Sequence, residues 1–170
     1  MSAKSVFITV GTTRFDSLVS ATLSPPFLSL LKSQGFTTLK LQHGNSSLPT
    51  TSSSFPITTT TYPFKPTLLP DMLSADLIIS HAGSGSIFES LEARKRLLVV
   101  VNTELMDNHQ VELAEALAEE GVLAWCTVES LLDNVERRVW EKCKAYGTRN
   151  AEAFGVAVRE EMGFAVTKAD

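Results

Sequence analysis

The sequence predicts an α/β protein built on a doubly wound parallel sheet. Short apolar runs alternate along the chain with longer segments of helical period, and the connections between them are short. This alternation is typical of parallel strands joined by right-handed helical crossovers. The run at 97–101, Leu-Leu-Val-Val-Val, is the most apolar in the chain. Because such strands are covered on both faces, we expect this run at the centre of the sheet.

Strands and helices follow one another in a regular order. Strands are expected where β-branched, aromatic and aliphatic residues cluster, at 6–10, 38–42, 57–62, 77–80, 97–101 and 122–126. Helices are expected at 18–32, 68–73, 86–95 and 109–120. The first of these helices must break or restart at Pro25 and Pro26. The hydroxyl-rich segment 44–56 indicates a surface loop, to which we assign no function.

The chain divides into an α/β domain, residues 1–126, and a helical extension, residues 127–170. One amphipathic helix is expected to carry an apolar face made of Val128, Leu131, Leu132, Val135, Val139 and Cys143. A second, weaker one would carry Ala151, Phe154, Val158 and Met162. We expect the first helix to pack on its own sheet. For the second, self-packing and docking on a partner protein remain equal alternatives.

Composition excludes several classes of function. The 170 residues are 44% hydrophobic and 20% charged, with a formal net charge of −4, which argues against a nucleic-acid-binding protein. No run approaches the roughly 20 apolar residues of a membrane-spanning helix, so we expect no span. Cys126 and Cys143 stand apart from any ligand cluster. They are expected to be reduced, which favours a cytoplasmic location.

Two segments rich in glycine and hydroxyl residues follow predicted strands. Gly11, Thr12 and Thr13 come directly after the first strand, where backbone N–H groups could contact a phosphate. The segment 80–89, Ser-His-Ala-Gly-Ser-Gly-Ser-Ile-Phe-Glu, runs from a buried strand into a helix whose start favours an anion such as a diphosphate. Glu89 would then be in reach of a ribose. Alternatively, Glu89 is an acid that complements the helix dipole, and His81 is a capping or packing histidine.

The third segment, Asn108-His109-Gln110, begins a helix after the strand at 97–101. Its amide groups could bond sugar hydroxyls, although Asn108 or Asp107 could equally be a plain helix cap. All three segments lie at the carboxyl edge of the predicted sheet, where open α/β sheets bind their ligands. The chain contains neither GxGxxG nor GxxxxGK[ST], so dinucleotide and P-loop sites lose their main support. A serine hydrolase is disfavoured because no GxSxG turn is present.

Together these segments resemble a known family. The pattern at 81–89, His-Ala-Gly-Ser-Gly-Ser-x-x-Glu, precedes the apolar strand and the segment 108–114, Asn-His-Gln-x-Glu-Leu-Ala. This combination is similar to the C-terminal, Rossmann-like nucleotide-binding half of GT-B glycosyltransferases, the glycosyltransferase family 28 C-terminal domain. With the opening 6–16, Val-Phe-Ile-Thr-Val-Gly-Thr-Thr-x-Phe-Asp, it looks most like the UDP-N-acetylglucosamine transferases of asparagine-linked glycosylation.

The resemblance implies an activity and a site. The activity is transfer of N-acetylglucosamine, with inversion, from UDP-N-acetylglucosamine to N-acetylglucosaminyl-diphosphodolichol. It implies a heterodimer with a membrane-anchored subunit that binds the acceptor, at the cytosolic face of the endoplasmic reticulum. The matching positions assign the diphosphate, uracil, ribose and sugar contacts to Gly11, Thr12, Thr13, Phe64, His81, Gly83, Ser84, Gly85, Glu89, Asn108 and Gln110.

Three points stay open at the level of sequence. We expect no cofactor and no metal ligand in this chain, because helix-start N–H groups can stabilise a departing diphosphate. The general base is expected largely on the partner, with His81 and His109 as weaker candidates. The alternative function is a nucleotide-sugar-binding regulatory or scaffold module without catalysis. The chain also departs from its relatives at Arg94-Lys95-Arg96, where they usually have Gly-Lys-Pro, so we expect an altered turn there.

Overall fold

A six-stranded, fully parallel sheet forms the centre of the protein. The computed structural model describes residues 2–50, 54–105 and 108–147, together with 156, 157, 160 and 163. The strands are β1 (Lys4–Thr9), β2 (Phe36–Gln42), β3 (Thr58–Tyr62), β4 (Leu77–His81), β5 (Arg96–Val101) and β6 (Ala124–Thr127). Their order across the sheet is β3-β2-β1-β4-β5-β6. The strand order therefore reverses between β1 and β4, where doubly wound sheets open a crevice for ligands.

Helices cover both faces of this sheet. They are α1 (Asp16–Thr22), α2 (Pro25–Ser33), α3 (Leu69–Ser74), α4 (Ser84–Glu92), α5 (Asn108–Glu119), α6 (Leu131–Glu136) and a 3₁₀ helix (Val139–Lys142). The predicted interruption at Pro25 is confirmed, since α1 ends before it and α2 begins with it. The prediction for the second amphipathic helix, Ala151 to Met162, lies almost wholly outside the described residues.

Side chains alternate between two hydrophobic cores. In β4, Leu77 and Ile79 point to the core that α1, α2 and α6 cover, and Ile78 points to the core that α3, α4 and α5 cover. Strands buried on both faces need apolar residues at successive positions, which explains the continuous apolar runs of β1, β4 and β5. The predicted doubly wound parallel fold is confirmed.

The position of β5 differs from the prediction. All of its residues after Arg96 are buried, as its composition indicates, but β5 lies between β4 and β6, next to an edge strand. The centre of the sheet is formed by β1 and β4. A continuous apolar run indicates that both faces of a strand are covered, but it does not indicate how far the strand lies from the edge of the sheet.

The predicted helix over 128–143 is also wrong as a single element. It is broken into α6 and the 3₁₀ helix at Arg138, whose φ of 49° lies in the left-handed region. Leu131, Val135 and Trp140 are buried in the core beside α2, whereas Leu132 is exposed. The break brings Trp140 into this core, and Val139 packs against the same core while partly buried.

No helix in the described ranges is both long and apolar enough to span a bilayer. Cys126 is buried and Cys143 half-buried, and both are free thiols.

A buried carboxylate ties the β2–β3 side of the sheet to α3. Asp71 accepts a hydrogen bond from the Tyr62 hydroxyl. It also forms ion pairs with Lys40 (Nζ to Oδ1, 2.5 Å) and Lys65 (Nζ to Oδ2, 2.7 Å). Burial alone would raise the pKa of this carboxyl group, but the three donors outweigh it and lower the pKa to about 2. Burial also raises the pKa of the Tyr62 hydroxyl, with Asp71 adding to the effect.

This network predicts an acid-dependent loss of stability. The folded-state pKa of Asp71 lies below its ordinary value of 3.8, so its contribution is present above that pH and is lost as pH falls towards 2. Asp71→Asn removes the carboxylate and should lower the free energy of unfolding at pH 7. We expect a loss of only about 1–2 kcal/mol, because both ammonium groups are partly exposed and screened. Denaturant melts at pH 7 and pH 2.5 would measure it.

Asp133→Asn is the matched control. Asp133 forms a surface pair with Arg137 (3.5 Å, i to i+4), and such pairs contribute about 0.5 kcal/mol or less. A loss for Asp71→Asn that is no larger than this, or that persists unchanged at pH 2.5, would contradict the assignment.

The C-terminus of α4 contains an unusual left-handed residue. The Arg94 N–H donates to the Leu91 carbonyl (2.8 Å) and the Lys95 N–H to the Ser90 carbonyl (3.2 Å), the two bonds of a Schellman cap. Arg94 has a φ of 55°, at the place where glycine is favoured and where the family resemblance leads us to expect glycine. The altered sequence therefore preserves the turn and adds strain to it.

Arg94→Gly should stabilise the protein. It removes the left-handed strain of a side chain that is exposed, and we expect a gain of about 0.5–1 kcal/mol in the free energy of unfolding. Arg94→Ala, which keeps the Cβ atom, should give no such gain. Equal effects of the two substitutions in thermal melts would mean that the side chain, and not the backbone conformation, determines stability here.

Candidate functional site

A cleft of about 660 Å³ opens at the carboxyl edge of the sheet. Its walls come from the turns after β1, β3 and β4 and from the first turn of α5. Ten of the eleven predicted substrate-binding residues line it, and these are Gly11, Thr12, Thr13, Phe64, His81, Gly83, Ser84, Gly85, Glu89 and Gln110. The eleventh, Asn108, begins α5, and its side chain lies outside the described part of the chain, as does Asp107. The fold therefore brings together residues that are far apart in sequence.

The turn after β1 is fixed by its own backbone and by the loop after β2. Gly11 has a φ of 62°, a conformation that glycine adopts without strain. The Thr13 hydroxyl donates to the Val10 carbonyl (2.7 Å), so Thr13 shapes the turn. Asn45 donates to the Thr12 carbonyl (3.1 Å). A turn held in this way presents its backbone to the cleft with little conformational freedom left to lose when a ligand binds.

Gln42 is a central residue that sequence reasoning missed. It is 1% exposed at the end of β2. Its Oε1 accepts from the Thr9 hydroxyl and from the Gly11 N–H (2.9 Å), and its Nε2 donates to the carbonyls of Gly11 and Pro63 (2.7 Å each). One side chain thus joins two walls of the cleft. The available signal was an amide directly after Leu41, at the carboxyl end of a predicted strand.

The ring of His81 lies between two glycines. A Cβ atom on Gly11 would approach the His81 Cε1 atom to 2.7 Å, and one on Gly83 would approach the Nε2 atom to 2.3 Å. Both separations are too short for real Cβ contacts, so the ring needs glycine on each side. This packing locks the turn after β1 to the turn after β4.

Burial makes His81 a neutral side chain. Its Nδ1 makes no hydrogen bond of ordinary geometry with the described residues. Burial lowers the pKa of the imidazole to about 4, and the backbone of Thr9 offsets this only in part. The ring is therefore uncharged at neutral pH and contributes shape and polarity to the cleft.

The start of α4 faces the cleft without a capping side chain. Its N-cap is Gly83, and no side-chain cap hydrogen bond is formed there. The N–H groups of the first turn have no partner within their own helix, and the helix dipole makes this end favourable for negative charge. Glu89 lies further along α4, exposed at the rim of the same cleft.

Aromatic and amide groups also line the cleft, from the segment after β3 and from α5. Phe64, after β3, is 50% exposed, which leaves its ring available to a ligand. Gln110 and His109 line the cleft from α5. The His109 side chain is 82% exposed and lies 3.7 Å from Glu112. Among the described residues, no group of three His, Cys, Asp or Glu side chains could hold a metal ion.

A switch-point cleft with a glycine turn and an open helix start is the arrangement in which domains of the doubly wound class bind anionic ligands. The glycosyltransferase family 28 C-terminal domain matches residues 5–162, and the chain belongs to that family. The expected family is therefore confirmed.

The chain is similar to curated proteins named UDP-N-acetylglucosamine transferase subunit ALG13. Those of Homo sapiens and Mus musculus are 46% and 47% identical over 129 residues, which cover 75% of this chain and 11% of each relative. The chain thus corresponds to a small part of those longer proteins. The relative from Cryptococcus neoformans var. neoformans is 31% identical, over 94% of this chain and 96% of its own length.

Solved structures agree with this grouping. The solution structure of ALG13 matches with a TM-score of 0.68 and 27% identity, over 92% of this chain and 95% of that one. The MurG structure from Acinetobacter baumannii has a TM-score of 0.59 and 19% identity, over 94% of this chain and 46% of that one. At this identity the second match shows the fold alone, which is the C-terminal half of a GT-B glycosyltransferase.

The packing of His81 gives a prediction with a control in the same turn. Gly83→Ala should lower the free energy of unfolding by about 1–3 kcal/mol, because its new methyl group would lie 2.3 Å from Nε2 of the buried His81 ring. Its backbone angles (φ −72°, ψ 126°) suit alanine, so the substitution introduces no backbone strain. In Gly85→Ala, the new Cβ atom would have no neighbouring atom within 4 Å. This control substitution should be neutral or slightly stabilising. Similar melting temperatures for both variants would contradict the packing argument.

Proposed function

We propose that this chain is the donor-binding subunit of a glycosyltransferase that uses UDP-N-acetylglucosamine. The observation that carries the proposal is the start of α4, which faces the switch-point cleft with no capping side chain. A nucleoside diphosphate matches the charge that such a helix start favours. The names of the ALG13 relatives, which are called UDP-N-acetylglucosamine transferase subunits, support the same donor.

The diphosphate would lie between the turn after β1 and the start of α4. In an inverting transfer, the acceptor hydroxyl attacks the anomeric carbon while UDP departs from the opposite face, so negative charge grows on the diphosphate. Fixed N–H groups of the Gly83–Ser84–Gly85 segment would stabilise that charge with little reorganisation. On this proposal the protein supplies the stabilisation through its backbone and requires no metal ligand of its own.

The remaining contacts follow from the walls of the cleft. The Glu89 carboxylate would accept hydrogen bonds from ribose hydroxyl groups, and the exposed Phe64 ring would pack near the uracil. Gln110, together with Asn108, would bond the hydroxyl or acetamido groups of the sugar. Amide and carboxylate groups are suited to this because each hydroxyl needs both donors and acceptors.

The acceptor and the general base would come from a second, membrane-anchored subunit. Every wall of the cleft described above belongs to one Rossmann-like half, whereas a GT-B enzyme closes its site between two. His81 is buried between glycines and His109 lies at the exposed rim, so neither is fixed near an acceptor hydroxyl. We infer a cytoplasmic subunit recruited to the endoplasmic reticulum membrane. Its acceptor would be N-acetylglucosaminyl-diphosphodolichol.

A regulatory nucleotide-sugar-binding module is the alternative. It would use the same cleft, and a helix start that faces an anion suits either function. The two differ in one observable: the catalytic subunit produces the two-sugar lipid when its partner and donor are added, and the module does not.

The test is a titration of the purified chain with UDP-N-acetylglucosamine, UDP-glucose and ADP-ribose. Binding is measured by calorimetry or ligand-observed NMR. We expect the first ligand to bind best, even at millimolar affinity. Glu89→Ala should weaken binding of all uridine ligands by about 1–3 kcal/mol through loss of a charged hydrogen bond. Glu92→Ala, one turn further along α4, is the control.

Equal binding of ADP-ribose and UDP-N-acetylglucosamine would contradict a uridine site. An unchanged affinity in folded Glu89→Ala would exclude the ribose contact while leaving the donor site intact. If the chain with its partner binds the donor yet forms no product, the regulatory module is the better description.

A further inference from the structure

Among the described residues that line the cleft, Lys65 is the only lysine or arginine. The other charged or titratable side chains there are Glu89, the buried neutral His81 and the exposed His109. A nucleoside diphosphate carries its negative charge into this cleft, so the placement of the one cation matters for binding. Lys65 directly follows Phe64, and both residues line the cleft.

The Lys65 ammonium group contacts Asp71 and the Tyr62 ring. Its Nζ lies 2.7 Å from Asp71 Oδ2 and 4.1 Å from the centre of the Tyr62 ring. The side chain is nevertheless 41% exposed. A lysine has a flexible four-carbon stem and can change partners without moving the backbone.

Asp71 would keep partners if Lys65 left it. Lys40 remains on the other carboxylate oxygen at 2.5 Å, and the Tyr62 hydroxyl still donates to Oδ2. A buried carboxylate left without any cation would be strongly unfavourable, but this one retains an ammonium group and a hydroxyl. Lys40 cannot bind a ligand in the cleft, because it lies in the middle of β2 and does not line the cleft.

We propose that Lys65 exchanges Asp71 for the diphosphate of a bound nucleoside diphosphate, and that Asp71 and the ligand compete for its ammonium group. The proposal rests on the donor site described under Proposed function and adds a residue to it. Lys65 then supplies the positive charge that the backbone N–H groups of α4 supplement from the other wall.

Because Asp71 and the ligand compete for Lys65, substitutions of Lys65 and Asp71 should change the affinity for UDP in opposite directions. Lys65→Gln removes the cation and should weaken UDP binding about tenfold, as expected for a lost charge-assisted hydrogen bond. Asp71→Asn releases Lys65 and should strengthen UDP binding about two- to fivefold. Uridine, which lacks the diphosphate, should bind both variants within about twofold of the wild-type chain. Lys65→Arg should recover most of the UDP affinity.

The experiment measures UDP and uridine affinities of the full chain by calorimetry or ligand-observed NMR at low ionic strength, below the melting temperature of every variant. Lys32→Gln is the charge-matched control, because Lys32 lies on the exposed side of α2 and changes the net charge equally. It should leave both affinities unchanged.

Each other result overturns the proposal in a recognisable way. If both variants weaken UDP and uridine equally, the Lys65–Asp71 pair only supports the wall of the cleft. If UDP binds wild type and Lys65→Gln alike, Lys65 has no contact with the diphosphate, and the donor site stands without it. If the folded wild-type chain binds no UDP, the donor site fails and this inference fails with it.

Discussion

The contact of the His81 ring with Gly11 and Gly83 is the constraint on which the rest of the site depends. A buried imidazole has a fixed width, and two glycines allow the turn after β1 and the turn after β4 to close on it. The two turns belong to the strands on either side of the switch point, so their spacing sets the width of the crevice. Because the ring is neutral and packed, this spacing is set by shape. It needs no ion pair, because the ring is held by its contacts with the two glycines.

Two buried polar groups extend this arrangement to the far wall. Gln42 joins the turn after β1 to Pro63, and Asp71 joins β2 and β3 to α3 through Lys40, Tyr62 and Lys65. Each is surrounded by enough donors and acceptors to offset its loss of hydration. The segment that carries Phe64 therefore leaves the sheet with its first residues hydrogen-bonded, although a loop in this position has little apolar contact of its own.

Much of the fold was predictable from local pattern, and the supporting polar network was not. Clusters of aliphatic, aromatic and β-branched residues predicted every strand to within two residues at each end. The strands covered on both faces gave continuous apolar runs, and β3 was recognised by its threonines. The predicted site segments lie around one cleft because each follows a parallel strand and all the strands end at the same edge of the sheet. The position of β5 and the break at Arg138 depend on tertiary packing, which periodicity does not contain. Gln42, Lys65 and Asp71 look like ordinary polar residues in sequence. Their roles arise from partners that are distant along the chain.

The outer edge of β3 has a consequence for how the protein behaves in a crowded solution. β3 ends the sheet, and its five residues, four of them threonine, are partly exposed. An open strand edge is a template on which a second chain can add its own backbone hydrogen bonds. Here Pro56 and Pro63 lie beyond the two ends of the strand, and proline has no N–H group to continue a ladder. The open edge is therefore short and polar, which limits unwanted pairing between copies of the chain.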